Sequence, residues 1–210
     1  MVGITEFEPM DYQDENGNWI GFDADMAAAF AEYLGVDVEF QPIDWDSKVM
    51  ELDGKTIDVV WNGMTLTDEV LAAMECSNPY FDNAQVVIVP ADKAAEYQTV
   101  ESVQDLAFSV EVGSAAKEQA DKYGFNYTEA ADQATALLEV SSGTADAAII
   151  DYLMSVAMTG EGTSYADLTS TVSLNTEQYG VGFRKGSDLA AELNKFFSEK
   201  YADGTMKQIA

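Results

Sequence analysis

Asn62-Gly63-Met64-Thr65-Leu66-Thr67-Asp68-Glu69-Val70-Leu71-Ala72-Ala73-Met74-Glu75-Cys76-Ser77-Asn78-Pro79-Tyr80-Phe81 is the stretch on which the fold of this chain turns. Asn62-Gly63 favours a turn, since both residues tolerate left-handed backbone. Thr67 reads as a helix N-cap, and Asp68 and Glu69 place negative charge at the positive end of the helix that follows. Immediately upstream, residues 56–61 read as a buried strand, so that Asn62, Gly63 and Thr65 fall in the loop after it. Downstream, residues 86–89 form a strongly β run that Pro90 ends. Strand, polar loop, capped helix and strand in succession argue for α/β layering.

The same rhythm extends in both directions. Residues 2–5 read as a strand, and Asn16-Gly17 as a hairpin-type turn between Tyr12 and Trp19-Ile20. Asp23 reads as the N-cap of a helix in which Met26, Ala27, Phe30, Tyr33 and Leu34 share a face and Gly35 is the stop. Strand 36–41 ends at Pro42, and a short helix opens at Asp46-Ser47. After residue 90 come strand 108–112, helix 114–123 stopped by Gly124, strand 125–128, a helix over 131–140 and strand 147–150. Asp151 stands at the tip of that strand, ahead of a helix over 152–159. A final strand over 181–183 and a helix capped by Ser187 complete the pattern. There is no internal repeat and no low-complexity linker, and the two halves read as two similar lobes.

Composition narrows the function classes. The chain has 210 residues, 47% of them hydrophobic and 11% aromatic, enough for a real core. With 38 acidic residues, 10 basic residues and a net charge of −28, its surface repels nucleic acid and anionic lipid, so neither is an expected partner. One cysteine, Cys76, excludes an internal disulfide and a cysteine-rich zinc site, and reads as a small core residue. Without histidine, neither Ser-His-Asp nor Cys-His catalysis nor histidine metal ligation can be built. No metal or cofactor is expected. No apolar run reaches membrane-spanning length. The ends read as those of a trimmed mature domain, with any targeting segment outside the sequence.

The opening stretch resembles the G-M-T-x-T-x-E-R … S-x-P-Y-F signature of the solute-binding proteins that deliver polar amino acids to ABC importers. Further landmarks follow in order: Gly21-Phe22-Asp23-Ala24-Asp25-Met26, Pro42-Ile43-Asp44-Trp45-Asp46-Ser47, Gly54-Lys55-Thr56-Ile57-Asp58-Val59, Gly113-Ser114, Ala145-Asp146-Ala147, and Gln178-Tyr179-Gly180 with Lys185-Gly186-Ser187-Asp188. They span nearly the whole chain. The resemblance implies a two-lobed, clamshell α/β fold of the periplasmic-binding-protein-like type II class, with two crossing hinge strands at 86–89 and 180–183. Lobe one is then 1–85 plus 184–210 and lobe two 90–180, with the ligand held as the lobes close. It also implies an extracytoplasmic monomer, in a periplasm or lipid-anchored at the outer face of the cell membrane. Its partners would be a small-molecule ligand and an ABC transporter permease.

Carried over position by position, the resemblance names the ligand-binding candidates. Phe7 and Trp45 occupy aromatic positions around the ligand; core packing is the other reading, and for Trp45 the flanking Asp44 and Asp46 in a turn favour the ligand. Asn62, Gly63 and Thr65 correspond to residues that grip the ligand's amino and carboxylate ends. Glu111, Gly113, Ser114 and Ala115 form the second lobe's strand-to-helix turn, where backbone N–H groups can hold an anion. Relatives often place threonine at the position of Ala115, and Glu111 could instead be a solvated face residue. Asp151 corresponds to the carboxylate that holds the α-ammonium, with helix capping as its other reading.

One position departs. Where the family places the arginine that clamps the α-carboxylate, this chain has Val70. The only arginine is Arg184, in a segment relatives use as surface, so Lys48 is the one substitute in reach. Losing a charge-assisted pair weakens carboxylate binding by on the order of 10²-fold unless Lys48 or the amides near Ser114 compensate. The remaining acidic and aromatic set suits a cation, or an amine with an apolar body. No catalytic residue is assigned. Two alternatives stay open: a dehydratase for cyclic carboxylate precursors of phenylalanine on the same fold, with Glu111 or Asp151 as its acid, and the ligand-sensing domain of a receptor, which flanking sequence would distinguish.

Overall fold

The computed structural model describes residues 1–209. The chain divides into two compact units, a discontinuous one (Met1–Asp82 with Gln178–Ala210) and a continuous one (Asn83–Glu177).

In the discontinuous unit the strands run in the spatial order Phe40–Pro42, Val2–Ile4, Val59–Thr65, Glu177–Phe183, Glu75–Cys76. Val2–Ile4 is parallel to both its neighbours, whereas Glu177–Phe183 is antiparallel to Val59–Thr65. Helices Phe22–Leu34 and Leu189–Asp203 bury Phe30, Phe196 and Phe197. Phe30 and Phe196 meet at 5.3 Å, and Trp61 and Phe197 edge-to-face at 5.7 Å. The aromatic contacts continue through Tyr80 and Tyr179 to Phe7. All three tryptophans, Trp19, Trp45 and Trp61, lie in this unit.

The continuous unit has its own sheet, ordered Asn126–Ala130, Ala107–Glu111, Ala147–Asp151, Gln85–Pro90, Leu168–Ser173. The first three strands are mutually parallel, and Gln85–Pro90 is antiparallel to both its neighbours. Val87, Val89, Phe108, Val110, Ala147 and Ile149 share one sheet face with Ala116 and Ala120 of helix Ala115–Tyr123. Val86, Ile88, Ala148 and Ile150 are buried too, which is why residues 86–89 read as an unbroken apolar run.

Several boundaries differ from the sequence expectation. The strand expected at 36–41 is Phe40–Pro42; Val36 is exposed, and Pro42 is tolerated because the strand is an edge. The strand expected at 56–61 is Val59–Thr65. Asp23 does not cap its helix: Gly21 is the N-cap, and Asp23 is buried within the first turn. Gly21 has φ +117, and a Cβ there would meet the Met10 carbonyl oxygen at 2.4 Å. Cys76 is half-buried on an edge strand rather than in the core. The helix expected to be capped by Ser187 is Leu189–Asp203, with Asp188 at the N-cap position and no side-chain cap. Strand Leu168–Ser173 has no counterpart in the sequence reading.

Candidate functional site

Asn62, Gly63 and Thr65 lie inside strand Val59–Thr65, not in a loop after it. The Asn-Gly signal was misleading because Gly63 takes its left-handed φ of +56 within the strand, opposite a register shift between Gly180 and Gly182. A Cβ at Gly63 would stand 2.3 Å from Phe7 Cε1. Asn62 accepts from the Thr5 amide at 2.8 Å and donates to Thr5 Oγ1 at 2.7 Å, tying this strand to the end of Val2–Ile4. Phe7, Asn62 and Gly63 therefore come together. Phe7 is buried, its ring edge-on to Tyr179 at 6.3 Å.

Trp45 opens the 3₁₀ turn Trp45–Ser47 and packs with Leu52, Ile57, Val60, Met64, Val70 and Met74. Val70 is only 6% exposed and is the third residue of helix Asp68–Ala73, its amide donating to the Thr67 cap at 3.3 Å. Position 70 thus extends an apolar cluster around Trp45. Lys48 is 8% exposed; its Nζ sits 4.7 Å from the Trp45 ring centroid and donates to the Trp45 carbonyl at 3.2 Å. A buried cation thus lies over the ring of the cluster that includes Val70. Arg184 is occupied elsewhere, donating to the Leu52 and Ile57 carbonyls and pairing with Asp58.

Beneath Gly63 lies a pair of acids that sequence reading did not connect with the site. Asp23 is fully buried, and its Oδ2 accepts from the Gly63 amide at 2.6 Å and the Tyr80 hydroxyl at 2.7 Å. Burial pushes its carboxyl up to about 7 against the lowering pull of those two donors. Asp11 is also fully buried, and neither of its carboxyl oxygens has a hydrogen-bond partner. Burial first, then the charges of Asp23, Asp25 and Glu6, hold Asp11 well above the usual carboxylate range. The only hint in sequence was Asp23 on the apolar face of its helix.

In the continuous unit, Glu111 ends strand Ala107–Glu111 and is 4% exposed, so it is no solvated face residue. Gly113 has φ +66, and Ser114 caps helix Ala115–Tyr123, accepting from the Lys117 amide at 3.3 Å while donating to the Glu111 carbonyl at 2.7 Å. Asp151 ends the neighbouring parallel strand. It makes no side-chain cap to helix Tyr152–Met158. Instead Asn83 and Gln85 donate to its Oδ1 at 2.5 and 3.1 Å, and Gln133 to its Oδ2 at 2.5 Å. Gln133 also accepts from the Asp151 amide at 2.9 Å. Asn83 and Gln85 donate in turn to Glu177 Oε1, at 2.7 and 2.8 Å. Two amides thus bridge two carboxylates. Glu177 and its amide companions were missed in the sequence; the available signal was Gln85 at the head of a wholly apolar strand, where a buried amide must find partners. A shallow groove along the edge strand Leu168–Ser173 contains none of these candidates. Among the described residues no group of acids is arranged to hold a metal ion, and no helix is long and apolar enough to cross a membrane.

The sequence model of the bacterial extracellular solute-binding proteins, family 3, matches residues 1–210. The L-cystine-binding protein TcyJ of Escherichia coli (strain K12) is 26% identical over 214 residues, covering 100% of this chain and 80% of that protein. The structure of an ancestral arginine-binding protein bound to arginine superposes with a TM-score of 0.91 at 32% identity, covering 99% of this chain and 94% of the other. The ancestral amino acid-binding protein AncCDT-1, a precursor of cyclohexadienyl dehydratase, gives a TM-score of 0.90 at 29% identity over 99% of this chain and 92% of its own.

Proposed function

Because the chain belongs to the bacterial extracellular solute-binding proteins, family 3, we propose that it captures a small amine-bearing solute, an amino acid or a related cation, and delivers it to the permease of an ABC importer outside the cytoplasm. It works as a monomer and without a cofactor. The observation that carries this reading is Asp151, 5% exposed at the tip of a core strand and oriented by three amide side chains whose donors carry no charge of their own. Such a cradle fixes a carboxylate in place and leaves its negative charge to attract an ammonium. Lys48, stacked over Trp45, is the anchor we assign to the ligand carboxylate in place of the family arginine.

Binding rather than turnover is supported by the use of Asp151 as an acceptor for three amides, a role unlike that of a proton donor. The similarity of AncCDT-1, itself an amino acid-binding protein, over nearly the whole chain points the same way.

A thermal-shift panel of L-arginine, L-lysine, L-histidine, L-cystine, agmatine and prephenate tests the reading. A true ligand at 100 times its dissociation constant stabilises the protein by about 2.7 kcal/mol. Amine-bearing compounds are expected to raise Tm and Asp151→Asn to abolish the effect. Lys48→Met should weaken amino acids by on the order of 10²-fold and leave agmatine, which has no carboxylate, nearly unchanged. Stabilisation by amine-free acids alone, or turnover of prephenate, would overturn the proposal.

A further inference from the structure

Asp23 contacts no position expected to touch a ligand through its own side chain except one, and that one is the Gly63 amide. Its backbone is tied to another. The Asp23 amide donates to the Met10 carbonyl at 2.9 Å, and the Phe22 amide to the Pro9 carbonyl at 3.2 Å. Pro9 and Met10 belong to a tight loop closed by Phe7 and Asp11, whose amides and carbonyls exchange bonds of 2.6 and 2.9 Å. One residue thus fastens the loop that carries Phe7 to the strand position that carries Gly63. The fastening at Gly63 depends on charge: an ionised carboxylate accepts the Gly63 amide and the Tyr80 hydroxyl together, and a protonated one accepts them more weakly.

We propose that Asp23 is the positioning residue of the Phe7–Gly63 segment, and that ligand capture expels one proton from the Asp11–Asp23 pair, so that affinity for a cationic amino acid rises from mildly acid to neutral pH. This rests on the reading that the segment faces the ligand.

The groups around the pair make the effect one-sided. Facing Asp23 are Tyr80, from the segment before the first unit boundary, and Asp11, from the Phe7 loop; facing Asp11 are Asp23, Asp25 and Glu6. All of these except Tyr80 are acids, and no base is among them. Two buried carboxylates with two side-by-side donors, both on one oxygen of Asp23, cannot both be charged at low cost. Asp23 has the donors and is the one that ionises; its position near neutrality, between the usual carboxylate range and that of Tyr80, follows from burial opposed by those donors. A ligand that brings positive charge and requires Gly63 held in place favours the ionised form. By reciprocity the ionised form then favours the ligand. The chain has no histidine, so nothing else with an ordinary side-chain value titrates between pH 5.5 and 8.

The test has a ligand-free and a ligand-bound arm. In the free protein, the backbone amide resonance of Gly63 is followed by NMR from pH 5.5 to 8.5. It should titrate with a midpoint near neutrality, move to a higher midpoint in Tyr80→Phe, which removes one donor, and lose the transition in Asp23→Asn. Asp11→Asn, which keeps Asp23 intact and copies the uncharged form of Asp11, should leave the transition in place. In the second arm, calorimetry with L-arginine over the same range should show the dissociation constant falling by up to about tenfold per pH unit below the midpoint and levelling above it, with release of up to one proton. A Gly63 resonance that does not move, that keeps its midpoint in Tyr80→Phe, or that still titrates in Asp23→Asn overturns the positioning role. An arginine affinity independent of pH while Gly63 titrates overturns the coupling. Failure of arginine and of every other amine in the thermal-shift panel to bind would instead defeat the reading of the site, and the Gly63 titration would still decide the role of Asp23.

Discussion

Gly63 is the residue at which backbone and site constrain each other most tightly. Its φ of +56 and the 2.3 Å approach of Phe7 leave no room for a side chain. Gly63→Ala should cost on the order of 2–4 kcal/mol in urea denaturation, combining backbone strain with a clash against a buried ring. The Asp151 cradle gives a second residue-scale test. Gln133→Leu removes two buried hydrogen bonds to Asp151 at once, and should destabilise the protein by on the order of 2–3 kcal/mol while also weakening amine binding. At this scale the sequence was informative where a residue type is chemically marked. Asp151 stood out as a charge at the tip of an apolar strand, and there it ends a wholly buried strand. Glu177 and Asp23 did not stand out, since their meaning lies in partners 92 and 40 residues away.

At the scale of elements, local chemistry was legible and long-range pairing was not. Thr67 caps helix Asp68–Ala73 and Ser114 caps helix Ala115–Tyr123, each through its own hydroxyl, as the sequence predicts. Gly35 and Gly124 stop their helices in left-handed conformation, with φ of 71 and 67. Thr67→Ala should cost about 1 kcal/mol and, by fraying the turn that begins the Val70 helix, lower Tm measurably in a calorimetric scan. Strand limits were misjudged because they depend on partners. Val59–Thr65 runs on through Asn62-Gly63 since it has Val2–Ile4 on one side and Glu177–Phe183 on the other to continue its ladder. Leu168–Ser173, with sequence Leu-Thr-Ser-Thr-Val-Ser, lacks an alternating apolar pattern and becomes a strand by pairing with Gln85–Pro90.

For the whole molecule the governing quantity is charge. A net charge of −28 makes self-repulsion a standing cost, which salt screens, so Tm should rise with added sodium chloride. Asp11 and Asp23 give that cost a pH dependence. Their carboxyls are raised in the folded state, so their contribution is complete below the unfolded carboxylate value of about 4 and is lost as pH climbs through the folded values, near 7 for Asp23. Stability should therefore fall from pH 5 to pH 8. Asp11→Asn should be more stable than the parent at pH 8 and gain little at pH 5, measured by thermal unfolding at both. The reverse trend with pH would show that these carboxyls are charged throughout.

The discontinuous unit also sets an order of assembly. Its strand Val59–Thr65 waits for a neighbour, Glu177–Phe183, that leaves the ribosome more than a hundred residues later, after the whole of the intervening unit has been made. During that interval the emerging chain carries an unpaired apolar ladder on its earliest segment, while Asn83–Glu177 has every strand of its own sheet at hand. Because every indole belongs to the late-closing part, tryptophan emission during refolding should lag the appearance of protected amides in the central segment.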